Sequence, residues 1–264
     1  MLKHTLKQFI SKATVMTTLL AIFTSFSNFA NATIIQIQTS KGEIEVNLFD
    51  KTTPKTVDNF LGYISDNAYD DTIVHRSIAG FITQSGGYSF NAEDNLVEVT
   101  EKPTVINEPV YSNVRGTIAM AKLGGDPNSA TSQWFINLAD NSANLDSQNG
   151  GFTVFGQVTE AGMVVMDSIA AMQTKNFGGA FTNTPVESTS ANRTRENSVV
   201  ISSIAITDTN VESAVTLEPE LNSRTKNTSQ TTNSSTSTGT LDLPLLLILI
   251  ALLKVKFPIR KQSK

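Results

Sequence analysis

The chain has 264 residues, enough for one good-sized domain plus extra segments, and its 39% apolar and 17% charged residues are ordinary for a globular protein. It contains no cysteine, which excludes disulfides, thiol catalysis and zinc–thiolate sites, and only two histidines, His4 and His75. Three lysines precede residue 33 and five basic residues follow residue 253; between them 12 basic residues face 24 acidic ones, a net of −12 against −4 overall, so the body should repel nucleic acid, whose binding rests on neutralised phosphates.

Residues 1–32 read as a secretory signal peptide. Lys3, Lys7 and Lys12 form a basic start, 13–26 is apolar with scattered hydroxyls, and Ala30-Asn31-Ala32 supplies a small-x-small cleavage site. The mature chain is expected to begin at Thr33; the alternative is an uncleaved anchor, for which the apolar run is short. Segments 33–39 and 43–49 alternate as two strands about Ser40-Lys41-Gly42, a hairpin signal. Thr52-Thr53-Pro54 predicts a helix start, with a threonine cap, proline in the first turn, and Val57, Phe60, Leu61 and Ile64 as the buried stripe. A polar turn at 66–71 precedes two β-prone stretches, 72–74 and 81–83. Residues 86–112 read as a long surface excursion. Strands over 116–121 and 133–138 flank a loop at 122–132 rich in Gly, Pro and Ser, and 140–151 is another loop. A strand over 152–159 leads to a helix over 161–172 with Val164, Val165, Ile169 and Met172 inward. A long loop, 173–197, and a closing strand, 198–207, complete the body.

Seven or eight short strands with only two helices predict a mainly β fold, a barrel whose ends the helices plug. Beyond residue 209 the composition shifts. Residues 210–240 are expected to be a linker, almost wholly Ser, Thr, Asn and Gln from Asn222 on, too poor in apolar area to offset chain entropy. Residues 241–264 are an apolar run followed by Lys254, Lys256, Arg260, Lys261 and Lys264. This end reads as a sorting signal, a lasting membrane anchor or a merely greasy tail; a helix of the apolar run alone reaches about half of a ~30 Å hydrocarbon core.

One stretch carries chemistry: Val74-His75-Arg76-Ser77-Ile78-Ala79-Gly80-Phe81-Ile82-Thr83-Gln84-Ser85-Gly86. With a period of two, Arg76 leaves one strand while Ile82 and Gln84 share a face of the next, so a cationic donor and a neutral amide border an apolar floor. Such a surface suits a greasy, uncharged substrate with a carbonyl to be gripped. The stretch resembles the cyclophilin signature. Gly116-Thr117-Ile118-Ala119-Met120-Ala121 with Ser132-Gln133-Trp134-Phe135-Ile136-Asn137, and then Val154-Phe155-Gly156-Gln157-Val158, resemble the later strands of that family in the same order, so the resemblance spans roughly 34–207 and lies nearest to exported bacterial members.

The resemblance implies an eight-stranded antiparallel barrel capped by two helices, with substrate on its outer wall, and a peptidyl-prolyl cis-trans isomerase acting on proline-containing unfolded or extended polypeptides. It implies a monomer with no metal or organic cofactor, and the tail adds an expected membrane association. Arg76, Phe81 and Gln84 match the catalytic positions; Ile82, Ala121, Lys122, Gln133, Phe135, Leu145 and Phe152 match the substrate-binding ones. Of these, Ala121 and Lys122 are expected to act through their backbone, with the Lys122 side chain solvated, and His75 matches a histidine that is usually structural. Two positions depart from the family. Asn144 stands before the Leu145-Asp146 pair of the rim where many members carry an aromatic residue, so binding of the cyclic inhibitor cyclosporin is expected to be weak. Phe152 replaces the usual pocket histidine.

The rival reading is a cyclophilin-like module that binds proline-containing peptides without turning them over. A hydrolase is disfavoured, because the exported body has one histidine, no cysteine and no Gly-x-Ser-x-Gly elbow, and no cluster has metal-ligand spacing.

Overall fold

The computed structural model describes residues 33–208, 217 and 219–222. The expected leader at 1–32 and tail at 241–264 lie outside the described residues. β1 (Ile34–Thr39) and β2 (Gly42–Leu48) pair antiparallel about Ser40 and Lys41, and their alternation sends Ile35, Ile37, Ile44 and Val46 into the core. Helix α1 (Pro54–Ser65) carries proline in its first turn and buries Val57, Phe60 and Ile64, with Leu61 half-buried and Thr56 and Tyr63 added to the inner face.

The expected threonine cap is not made. Thr53 donates its hydroxyl to the Phe49 carbonyl at 3.3 Å instead. The Glu108 carboxylate takes over, accepting from the Thr56 amide at 3.0 Å and the Thr56 hydroxyl at 2.8 Å. An anion at a helix N-terminus satisfies free amides and complements the dipole. Glu108 arrives from the 86–112 excursion, so no local pattern announces it.

The chain continues through β3 (Thr72–Ile73), β4 (Arg76–Ile78), β5 (Ile82–Ser85), β6 (Tyr88–Phe90), β7 (Leu96–Glu98), β8 (Thr117–Met120) and β9 (Trp134–Asn137). A one-turn helix, α2 (Ser142–Leu145), precedes β10 (Val154–Val158) and α3 (Glu160–Ala170); β11 (Thr174–Lys175) and β12 (Thr184–Pro185) make a small separate pair, and β13 (Val200–Asp208) closes the body. The excursion thus holds the β6–β7 hairpin, and the loop expected at 140–151 holds α2, a third helix.

Neighbouring strands run in the order β4-β5-β9-β8-β10-β2-β1-β13-β3, with β6 and β7 appended beyond β3. Only Val74 and His75 separate β3 from β4, so the two ends of this antiparallel order are one kinked strand and the sheet curls back on itself as eight staves. The kink is held by the Val74 amide donating to Val199, the Ser77 amide donating to Asn183, and the Thr184 hydroxyl donating to the His75 carbonyl.

The inward face of α3 differs from the expectation. Gly162, Met163, Met166 and Ile169 are buried, Val165 and Met172 are half-buried, and Val164 is 69% exposed. The reason is a close approach: a Cβ on Gly162 would lie 2.8 Å from Val158 and 3.1 Å from Ile44, so the helix rests on the sheet through a residue that hydrophobicity does not mark.

Alternation divides the apolar residues into two clusters. Ile118, Met120, Trp134, Ile136 and Phe155 join α1 and α3 in the main core. Ile82, Ala119, Phe135 and Val154 point to the other side, where they meet Phe49, Leu145 and Phe152. This second cluster, on the outside of the curled sheet, underlies the site.

Candidate active site on the outer wall

Four adjacent strands set out one row of residues. Arg76 on β4 is in register with Gln84 on β5, Gln84 with Phe135 on β9, and Phe135 with Ala119 on β8. With strands about 4.8 Å apart, the row runs from a cation through an amide to an aromatic floor. It borders a cavity of about 480 Å³. All the residues expected in the site line it: Arg76, Phe81, Ile82, Gln84, Ala121, Lys122, Gln133, Phe135, Leu145 and Phe152.

Arg76 is buried yet has no carboxylate partner among the described residues. Its Nη1 donates to Gln84 Oε1 at 3.4 Å, its guanidinium carbon lies 5.9 Å from the centre of the Phe81 ring, and its Nε has no partner. Burial pulls the guanidinium below its ordinary value, but an arginine starts so far above neutrality that it still carries its charge at neutral pH. Gln84 donates in turn to Gln133 Oε1 at 2.9 Å, which fixes its amide with the oxygen toward the arginine. The floor is a T-shaped pair, Phe135 and Phe152, with centroids 5.7 Å apart.

His75 also lines the cavity but is 1% exposed, and burial, followed by the Arg76 charge, pushes its imidazole down to about 3. It is therefore a neutral ring packed edge-on to Tyr88 at 5.2 Å. Asn144 is exposed and does not line the cavity, so the aromatic rim is absent there.

The Lys122 side chain is not solvated, contrary to the expectation. It is 7% exposed, its Nζ donates to the Asn149 carbonyl at 2.9 Å and the Gly151 carbonyl at 2.6 Å, and it sits 4.8 Å from the Phe152 ring centre. The two carbonyls and the ring face hold a cation that local sequence cannot pair with them. Burial pulls its ammonium down to about 8, with Asp126 opposing. An unfolded lysine keeps its proton to about 10.4, so between these values the unfolded chain binds more protons and stability rises with pH. Urea unfolding across that window should show this rise in the wild type and not in Lys122→Met; the subtraction matters because burial raises the Tyr63, Tyr69 and Tyr88 phenols. Equal pH slopes in the two proteins would contradict the buried placement.

Sequence reasoning missed a buried polar network behind the floor. Asn141 donates to the Phe81 carbonyl at 2.9 Å and to Asn137 Oδ1 at 2.8 Å. Asn137 donates to Thr117 Oγ1 at 2.9 Å, and Asn113 donates to the Phe152 carbonyl at 3.1 Å. The Asp146 carboxylate accepts from the Asn113 amide at 2.7 Å and from the Ser112 hydroxyl. Two cavity residues, Phe81 and Phe152, are thus hung by their carbonyls from asparagines. The signal was Asn137, a polar residue inside the apolar run Trp134-Phe135-Ile136, since a buried amide must be fully satisfied. Glu101, Thr104 and Thr131 line the far side, and Gly179, Ala180 and Thr182 bring the 173–197 segment to the cavity edge.

Comparison with known proteins agrees with this geometry. Residues 34–204 match the family model described as cyclophilin type peptidyl-prolyl cis-trans isomerase/CLD. Peptidyl-prolyl cis-trans isomerase A of Dickeya dadantii is 41% identical over 171 residues, covering 63% of this chain and 86% of that protein. A peptidyl-prolyl cis-trans isomerase of Acinetobacter baylyi is 39% identical over 147 residues, covering 55% and 76%. The crystal structure of a Cryptosporidium parvum cyclophilin type isomerase, obtained in the presence of the dipeptide ala-pro, shares the fold with a TM-score of 0.50 at 23% identity over 66% of this chain and 99% of that one. The chain belongs to the cyclophilin type peptidyl-prolyl cis-trans isomerase family, whose members interconvert the two isomers of Xaa-Pro bonds.

Proposed function

We propose that the activity is carried by Arg76, with Gln84 holding the substrate backbone and Phe135, Ile82, Phe81, Leu145 and Phe152 receiving the proline ring. An Xaa-Pro bond turns slowly because resonance stiffens its C–N bond, with a barrier of roughly 18–20 kcal/mol. No proton transfer or covalent step is required. At the twisted geometry resonance is lost and the proline nitrogen becomes pyramidal and basic. A donor aimed at that nitrogen stabilises the twisted state and neither planar one, which is differential binding of the transition state. A ~10⁵-fold acceleration corresponds to about 7 kcal/mol. The observation that supports this role is a buried guanidinium that, among the described residues, has no acid partner and a free Nε, at the edge of an apolar cavity.

The biological setting is folding of exported proteins in the cell envelope. This rests on the leader-like residues 1–32 and on the apolar and basic end at 241–264, which fits a sorting signal or an inner-membrane tether. Ala121 and Lys122 align the substrate as an added extended segment through their backbone groups. An exchange assay on a short Xaa-Pro peptide tests the activity: the purified wild type accelerates isomerisation, whereas peptide binding without acceleration would make the protein a binding module. The mass of the protein recovered from cells tests the setting. A chain beginning at Thr33 supports export, and an intact Met1 in the cytoplasm contradicts it.

A further inference from the structure

Residues 217 and 219–222 lie beyond the family-matched span and inside the stretch expected to be linker, yet they pack on the barrel. Leu221 bridges antiparallel to Tyr111; the Ser112 amide donates to the Glu220 carbonyl at 2.8 Å, and the Asn222 amide donates to the Val110 carbonyl at 2.9 Å. Asn222 is 1% exposed, and its Nδ2 donates to the carbonyl of Asp146 at 3.0 Å. Asp146 is the residue that ends α2, so this amide satisfies a carbonyl that a one-turn helix leaves without an intrahelical donor. Leu217 packs against the cluster that contains Leu145, Phe135 and Phe152.

We infer that Leu217 and residues 219–222 form a strap that positions the wall of the proline cavity, with Asn222 as its anchor, so that the functional isomerase unit extends past the barrel to residue 222. The path is short. Asn222 holds the Asp146 carbonyl; the Asp146 carboxylate is held by Ser112 and Asn113; Asn113 holds the Phe152 carbonyl; and Leu145, adjacent to Asp146, accepts from the Phe152 amide at 2.9 Å. The strap therefore reaches the Leu145–Phe152 side of the cavity, while Arg76 stands on β4 and is supported independently. Asn222 touches no substrate; it acts through α2.

This inference rests on the proposed active site, and its test separates the two. In the full-length chain, Asn222→Ala is expected to raise KM for an Xaa-Pro peptide about three- to tenfold with kcat within about a factor of two, because it loosens binding without touching the donor. Hydrogen exchange at the Phe152 amide should quicken in the same variant. Leu217→Ala, which leaves the Asn222 hydrogen bonds in place, should move both readouts the same way. In a Leu145→Ala background, Asn222→Ala should add nothing further to KM, since the wall it positions is already gone. An unchanged KM with unchanged Phe152 protection overturns the inference, as does an equal effect in both backgrounds. If the wild type shows no turnover, the active-site reading fails and the Phe152 exchange still decides the strap.

Discussion

Arg76→Ala is expected to lower kcat/KM on an Xaa-Pro peptide by about 10²–10³-fold, the cost of removing one preorganised donor from a partly dry site. The fold should survive. Among the described residues Arg76 has no ion pair to lose, and its one side-chain hydrogen bond, to Gln84, is long at 3.4 Å. Arg76→Lys should recover only a minor part, because an ammonium keeps the charge but lacks the rigid fork that aims several donors at once. An Arg76→Ala protein with wild-type kcat/KM would remove the donor from the mechanism, and one that is unfolded would show that the buried cation is structural. Circular dichroism and urea unfolding distinguish these outcomes.

The second large effect is expected at Gly86. Its φ of +81° lies in the left-handed region, and a Cβ there would fall 2.6 Å from the Ser132 carbonyl oxygen and 2.9 Å from the Trp134 indole. Backbone strain and a clash with main chain add, so Gly86→Ala should cost about 3 kcal/mol of stability. Ser132 and Trp134 flank Gln133, and Phe135 follows, so the displaced backbone also carries two cavity residues out of place and KM should rise. Gly80 provides the internal control: its φ is +71°, yet a Cβ there meets nothing within 4 Å, so Gly80→Ala should show the strain alone, about 1 kcal/mol. Equal losses at the two glycines in urea unfolding would refute the clash.

What the sequence made legible was whatever depends on period and local spacing. Alternation put Ile82 and Gln84 on one face, the family resemblance named Phe135, and the row Arg76, Gln84, Phe135 appears once the strands are paired. The spacing of Val57, Phe60 and Ile64 marked the inner face of α1 for the same reason. Features set by distant partners stayed hidden. Glu108 replaces Thr53 at the start of α1 from 52 residues away along the chain. Lys122 reads as a surface lysine until the Asn149 and Gly151 carbonyls close on it. The face of α3 was misplaced because Gly162, which sets its approach to the sheet, contributes nothing to a hydrophobic pattern. The strap was invisible because Asn222 begins a polar run whose composition reads as linker, while its role depends on one carbonyl at the end of α2.

The 173–197 segment belongs with these. It is polar and lacks periodicity, yet Phe181 packs on Tyr88 at 4.5 Å and on His75 at 6.2 Å, and Arg193 covers the Phe181 ring at 3.9 Å. This stacking carries Gly179 and Ala180 to the cavity beside Arg76. The segment therefore contributes Gly179, Ala180 and Thr182 to the wall of the cavity that Arg76 also lines.

If Arg76 acts on the twisted bond and not on the resting peptide, NMR exchange on an Xaa-Pro peptide at saturating protein will separate the wild type from Arg76→Gln. Both proteins are expected to bind the peptide with affinities within about tenfold, while the cis-trans exchange rate of the bound peptide falls about 10²-fold or more in the variant. Equal bound-state exchange rates, with the whole loss appearing in affinity, would contradict that role.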